Sequence, residues 1–129
     1  MAALGDAYML RKPGQQTEHL WVLVTRAHPD NGQAIMVNIT TLRERSDTTT
    51  VLQPGEHPFI DRPSVVFYAD ARPVDPGALD RAVAGGCGRT HGAFAPPVLA
   101  RIQAGMELSP MTPKKMKEAY RAAAAAGLV

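Results

Sequence analysis

The sequence predicts an α+β fold: a small antiparallel β-barrel followed by helices at the C-terminus. Three observations carry this. Short β-prone runs separated by turn signals fill the first two-thirds of the 129-residue chain. The turn His28-Pro29-Asp30-Asn31-Gly32 contains an Asn-Gly pair, which accepts the positive φ that hairpin turns require. The last third changes to proline-started, alanine-rich segments of helical character.

In chain order, residues 7–10 form a short apolar start, and residues 12–16 (Lys-Pro-Gly-Gln-Gln) read as a turn. Residues 20–24 are a continuous apolar run, the pattern of a strand buried on both faces. Residues 34–40 return after the hairpin turn and are rich in β-branched side chains. Residues 48–52 are β-prone until Pro54-Gly55 breaks the run. Residues 63–68 form another strand, which "ADARPV" continues or kinks. About five short strands at this spacing favour a small barrel over an open parallel sheet.

A first helix follows Asp75, which serves as its cap with Pro76 in the first helical position, and the Gly85-Gly86 pair ends it. A second helix spans residues 96–103 and stops at Gly105. The segment from Ser109 to Pro113 caps a third, running from Lys114 towards Ala126, whose alanines offer little to bury and predict a frayed end. The length fits one domain over residues 1–129, with a barrel core and short helix at 5–84 and a helical extension at 85–129. There is no internal repeat.

Composition narrows the class. The chain is 45% hydrophobic and 20% charged, which is ordinary globular usage. The single cysteine, Cys87, excludes an internal disulfide framework and fits a reducing cytoplasm. The N-terminus lacks the basic start and apolar core of a secretory signal, and no apolar stretch reaches the ~20 residues that span a bilayer. A cytoplasmic protein with no membrane partner is expected. The net charge of +2 permits an anionic partner without demanding one.

Residues with catalytic chemistry are few. His19 stands at the mouth of the apolar strand, where a rigid scaffold can hold a titratable tip in solvent. His57 lies between Pro54-Gly55 and Pro58, so its backbone is restricted. His91 sits in a Gly-rich linker beside Arg89, from where it can fold over the barrel. His28 is a turn residue at the surface. Cys87 and His91 form a C-x3-H pair without a second pair, so no metal site or cofactor is expected. Trp21, Phe67 and Tyr68 read as core, leaving Tyr8 and Phe59 as aromatics able to stack on bases.

The segments "GDAYML", "HLWVLVT", "AIMVNITT" and "DRPSVVFYADARPVDPGALDRAV", in this order from Gly5 to about Ala84, resemble the MazF/PemK/Kid-like growth-inhibitor toxins. That family consists of small SH3-like barrels, many of them endoribonucleases held in check by an antitoxin. The resemblance implies a homodimer that binds single-stranded RNA across the dimer groove and cleaves it without a metal. A small protein antitoxin would fill the same groove.

By position, the resemblance makes Thr40 the hydroxyl at the scissile phosphate. Thr40 shares a strand face with Asn38, and Thr41 points the other way. The family's catalytic Arg-Pro is replaced here by Glu18-His19-Leu20. His19 would then act as base or as cationic phosphate contact, with His57 as its acid-base partner. Histidine suits proton transfer because its unperturbed pKa of about 6.5 lies near working pH. Arg11, Arg43, Arg89 and His91 are the expected substrate contacts, since a guanidinium fork matches phosphate oxygens. The absent arginine equally favours a non-catalytic barrel that binds a protein or nucleic acid partner. A third option is toxin-like action on a protein target.

Overall fold

A computed structural model describes residues 2–11 and 16–129. The elements are β1 (Ala7–Arg11), β2 (Glu18–Leu23), β3 (Ala34–Thr41), β4 (Val51–Leu52), β5 (Ser64–Val74), α1 (Pro76–Ala84), β6 (Gly88–Thr90), α2 (Pro96–Leu108) and α3 (Lys114–Ala125). The expected turn at 12–16 falls mostly outside the described residues.

The fold is α+β, as expected, with one six-stranded antiparallel sheet ordered β4-β5-β3-β2-β1-β6. The closed barrel is not what the strands build: β4 and β6 are the two edges, and the sheet stays open. Two features explain this. Residues 88–90, read as linker, pair with β1 and extend the sheet outward. The apolar face that closure would bury is covered instead by α2 and α3.

Period-2 alternation gives the sheet two different faces. Leu20 and Val22 of β2, Val37 and Ile39 of β3, and Val66 and Tyr68 of β5 join Ile102 and Met106 of α2 and Met116 and Tyr120 of α3 in the main core. Ile102 and Met106 are completely buried, and each contributes about 1.5–3 kcal/mol of apolar transfer. On the opposite face, Tyr8, Trp21, Leu23 and Met36 pack against Leu79 of α1. Helix α1 is capped as the sequence predicts, with Asp75 Oδ1 accepting from the Gly77 amide at 2.9 Å.

The β3–β5 pairing contains a bulge that shapes the second face. Asn38 pairs with Phe67 and Met36 with Arg72, so Val37 alone faces residues 68–71. The extra residues reset the alternation. Tyr68 and Ala71 both enter the core under the helices, while Phe67 and Arg72 both turn to the opposite face. The stretch "ADARPV" therefore both continues the strand and kinks it.

Two helix-end expectations change. Gly105 lies inside α2 rather than ending it. Its role is close approach, because a Cβ there would stand 1.8 Å from the Tyr68 hydroxyl oxygen. The C-terminus is not frayed either. Gly127 takes φ 74°, the Leu128 amide returns to Ala123 O at 2.9 Å, and Leu128 O accepts from the Arg26 amide at 2.8 Å.

Candidate functional site

Helix α1 covers only part of its face of the sheet. Beyond it lies a hollow of ≈ 620 Å³ whose lining includes Asn38, Val65, Phe67 and Asp70 from the sheet and Met111 from the α2–α3 corner. A second hollow, of ≈ 400 Å³, lies towards Thr17, Phe59 and Arg62. His19, Thr40, Thr41 and Arg43 line both hollows, so the two meet at those residues.

The register explains why His19 and Thr40 meet. Leu20 pairs with Ile39, and one further antiparallel step sets His19 opposite Thr40. His19 alternates with the buried Trp21, and Thr40 with the buried Asn38, so both side chains point away from the core under α2 and α3. Arg43 and Arg45 follow on a loop closed by two bonds: the Arg43 amide donates to Ser46 Oγ at 2.8 Å, and the Ser46 amide to Arg43 O at 3.1 Å. Both guanidinium groups are exposed at the hollow.

Asp47 fastens this loop to the helical corner. Its carboxylate accepts from Ser109 Oγ at 2.5 Å and from the Thr49 amide at 2.9 Å. Burial raises the Asp47 carboxyl, but the hydrogen bonds from Ser109 and Thr49 outweigh it and hold the group below its usual range. Asp47 therefore stays anionic and committed to the scaffold. Ser109 Oγ in turn accepts from the Met111 amide at 3.0 Å, which sets the opposite wall of the larger hollow.

The floor of that hollow is a polar network that sequence reasoning missed. Asn38, 2% exposed, donates from Nδ2 to Asp70 Oδ2 at 2.8 Å. Asp70 also pairs with Arg72, whose guanidinium lies 4.9 Å over the Trp21 ring. Among the described residues no donor reaches Asn38 Oδ1. Phe67, expected in the core, is 43% exposed beside it. Strict alternation was the available signal: if Val66 and Tyr68 face the core, Phe67 cannot. Asp70 carried no such signal, because its position depends on the bulge.

The remaining candidates lie elsewhere. His57, expected to join His19 and Thr40, is 2% exposed and lines neither hollow. The Phe59 amide donates to its Nδ1 at 3.1 Å, so the ring proton sits on Nε2 and is donated to Gly92 O at 3.0 Å. The ring also stacks on Phe94 at 4.4 Å. Both nitrogens are thus used in pinning the 57–60 turn to the segment before α2, and the trio His19, Thr40, His57 does not assemble.

His91 packs edge-on against His57 and Phe59. Burial, then the neighbouring His57 and Arg89, hold its pKa below the ordinary value. Arg89, on β6, is engaged by Glu18 at 3.1 Å, and Arg11 ends β1 opposite Glu18. Among the described residues lining the hollows, neither arginine nor His91 takes part. Tyr8 is buried, so it cannot stack on a base, whereas Phe59 is exposed.

Among the described residues no three His, Cys, Asp or Glu side chains cluster closely enough to hold a metal ion. No described helix is long and apolar enough to cross a membrane. The joined hollows thus offer the His19 imidazole, the hydroxyls of Thr40 and Thr41 and the exposed guanidinium groups of Arg43 and Arg45, groups suited to phosphate oxygens and proton transfer. Beside them stand Arg62, paired with Asp61, and the carboxylates of Glu18, Asp47 and Asp70. Comparison with known proteins returns no matching family model and no matching curated protein.

Proposed function

We propose that the joined hollows bind single-stranded RNA and that the protein is a toxin-like, metal-independent endoribonuclease, in line with the MazF/PemK-like pattern of its strands. The observation that carries this reading is the sharing of His19, Thr40, Thr41 and Arg43 by both hollows. A small ligand would occupy one hollow, whereas a strand threaded through both must cross these residues.

In this reading His19 takes the proton of a ribose 2′-hydroxyl, and the 2′-oxygen attacks the adjacent phosphorus. The Thr40 hydroxyl and the Arg43 guanidinium stabilise the added charge on the phosphorane. The P–O5′ bond breaks, water supplies the proton to the leaving oxygen, and the products end in a 2′,3′-cyclic phosphate and a 5′-hydroxyl. A homodimer and a small antitoxin covering the groove belong to the same proposal.

A second reading is favoured by one specific observation: with His57 sealed away, His19 is the only imidazole lining the hollows among the described residues. The protein would then bind single-stranded RNA without cutting it. Incubation of the purified protein with a long RNA in EDTA separates the two. Fragments bearing 2′,3′-cyclic phosphate ends support cleavage, and a retained complex with intact RNA supports binding alone. RNA that is neither cut nor retained overturns both.

A further inference from the structure

Asn38 and Phe67 are direct cross-strand partners on the face that α1 covers only in part, and Trp21 is Asn38's partner on its other side. The Asn38 amide is therefore held between two aromatic residues, one buried and one 43% exposed. Its orientation is fixed, because the bond from Nδ2 to Asp70 Oδ2 requires the nitrogen to face the carboxylate. Oδ1 is left as an acceptor with no donor among the described residues, in a residue that lines the larger hollow. A buried carbonyl without a donor is costly, and a ligand N–H placed there recovers that cost.

We infer that Asn38 and Phe67 form a base-reading subsite, in which a base stacks on the Phe67 ring and gives an exocyclic amino proton to Asn38 Oδ1. The inference rests on the proposal that the hollows bind single-stranded RNA, and it names which bases this position accepts. Asn38 Oδ1 is covered in the free chain, so the inferred subsite includes a shift of the exposed Phe67 side chain to a second rotamer as the base enters. Stacking alone is sequence-tolerant, because every base has a π face. The carbonyl adds the selection. Cytosine presents an N4 amino group where uracil presents an oxygen, so cytosine donates to Asn38 while uracil sets acceptor against acceptor. Asn38 and Phe67 are thus specificity determinants, separate from His19 and Thr40.

The test measures binding of oligocytidine and oligouridine of equal length and at fixed salt to the protein and to its Asn38→Ala and Phe67→Ala variants, each checked for folding by thermal melting. The protein should prefer cytosine about tenfold, one hydrogen bond's worth. Asn38→Ala should bind both equally, and Phe67→Ala should bind both more weakly. An oligomer of N4,N4-dimethylcytosine, which keeps the ring and lacks the protons, should bind the unaltered protein like uridine. That arm stands even if Asn38→Ala does not fold.

Equal binding of cytidine and uridine oligomers overturns the subsite while leaving RNA binding intact. So does a cytosine preference that survives in folded Asn38→Ala. Failure of the unaltered protein to bind either oligomer overturns the RNA reading itself and the subsite with it.

Discussion

The hydroxyl of Tyr68 occupies the space that a side chain on Gly105 would need: a Cβ there would lie 1.8 Å from Oη and 2.2 Å from Cζ. Tyr68 uses this approach to donate to Ile102 O at 2.7 Å, which leaves Thr50 Oγ1 to donate to Tyr68 at 2.8 Å. The contact joins β5 directly to the backbone of α2. It also fixes the strand from which Phe67 and Asp70 turn to the opposite face.

Gly105→Ala should therefore destabilise the fold by about 3 kcal/mol, since the Tyr68 ring is fully buried and has nowhere to move. Tyr68→Phe should cost about 1–2 kcal/mol by stranding the buried Thr50 hydroxyl and removing the bond to the Ile102 carbonyl. In the double variant the costs should not add, because removing Oη relieves part of the clash. Urea unfolding of the four proteins measures this, and strict additivity would show that the two residues do not press on each other.

His57→Ala should lower stability by about 2–3 kcal/mol, because it removes a buried ring stacked on Phe94 and strands the Phe59 amide and the Gly92 carbonyl. Limited proteolysis should find the 57–60 turn and the linker before α2 newly open. A thermal midpoint matching that of the unaltered protein would contradict a structural role for this ring.

Stability should depend on pH in two separate windows. His91 has a folded pKa below its unfolded value, so the unfolded chain binds its proton more readily. Its contribution is fully present above about pH 6.5 and is lost as the pH falls through that value towards the folded pKa. Asp47 acts lower: its depressed pKa gives stability that holds above about pH 3.9 and is lost below it. Urea midpoints between pH 5 and 7.5 should rise with pH in the unaltered protein and rise less in His91→Ala. A curve unchanged by that substitution would assign the dependence elsewhere.

Arg43→Ala and Arg45→Ala should each weaken single-stranded RNA binding and lower the slope of log K against log salt by about 0.7 for each phosphate no longer neutralised. Arg89→Ala, already engaged by Glu18 at 3.1 Å, should change that slope little. Fluorescence anisotropy over a salt series measures all three, and a larger effect from Arg89 would move the RNA path to the β6 edge.

Local signals carried much of this architecture. The Asn31-Gly32 turn forms as expected, with the Gly32 amide returning to His28 O at 2.7 Å, and Asp75 caps α1. The meeting of His19 with Thr40 was expected from the resemblance rather than from register, and the pairing of Leu20 with Ile39 sets the two one step further along the β2–β3 hairpin. What escaped was non-local. Gly105 looks like a helix stop until the Tyr68 hydroxyl beneath it is seen. Residues 88–90 are too short and glycine-rich to read as a strand, and they become one only because β1 offers an unpaired edge. His57 looked functional because its backbone was constrained, and that constraint serves packing against Phe94 instead. The Asn38–Asp70 bond depends on a bulge whose register no local pattern announces.

The most direct test compares RNA cutting in EDTA by the unaltered protein, His19→Ala and His57→Ala, with activity normalised to the folded fraction of each. His19→Ala should cut about 10²–10⁴-fold more slowly, the usual scale for removing a general base, while folded His57→Ala keeps its rate. Undiminished cutting by His19→Ala would contradict the assignment of His19 as the base.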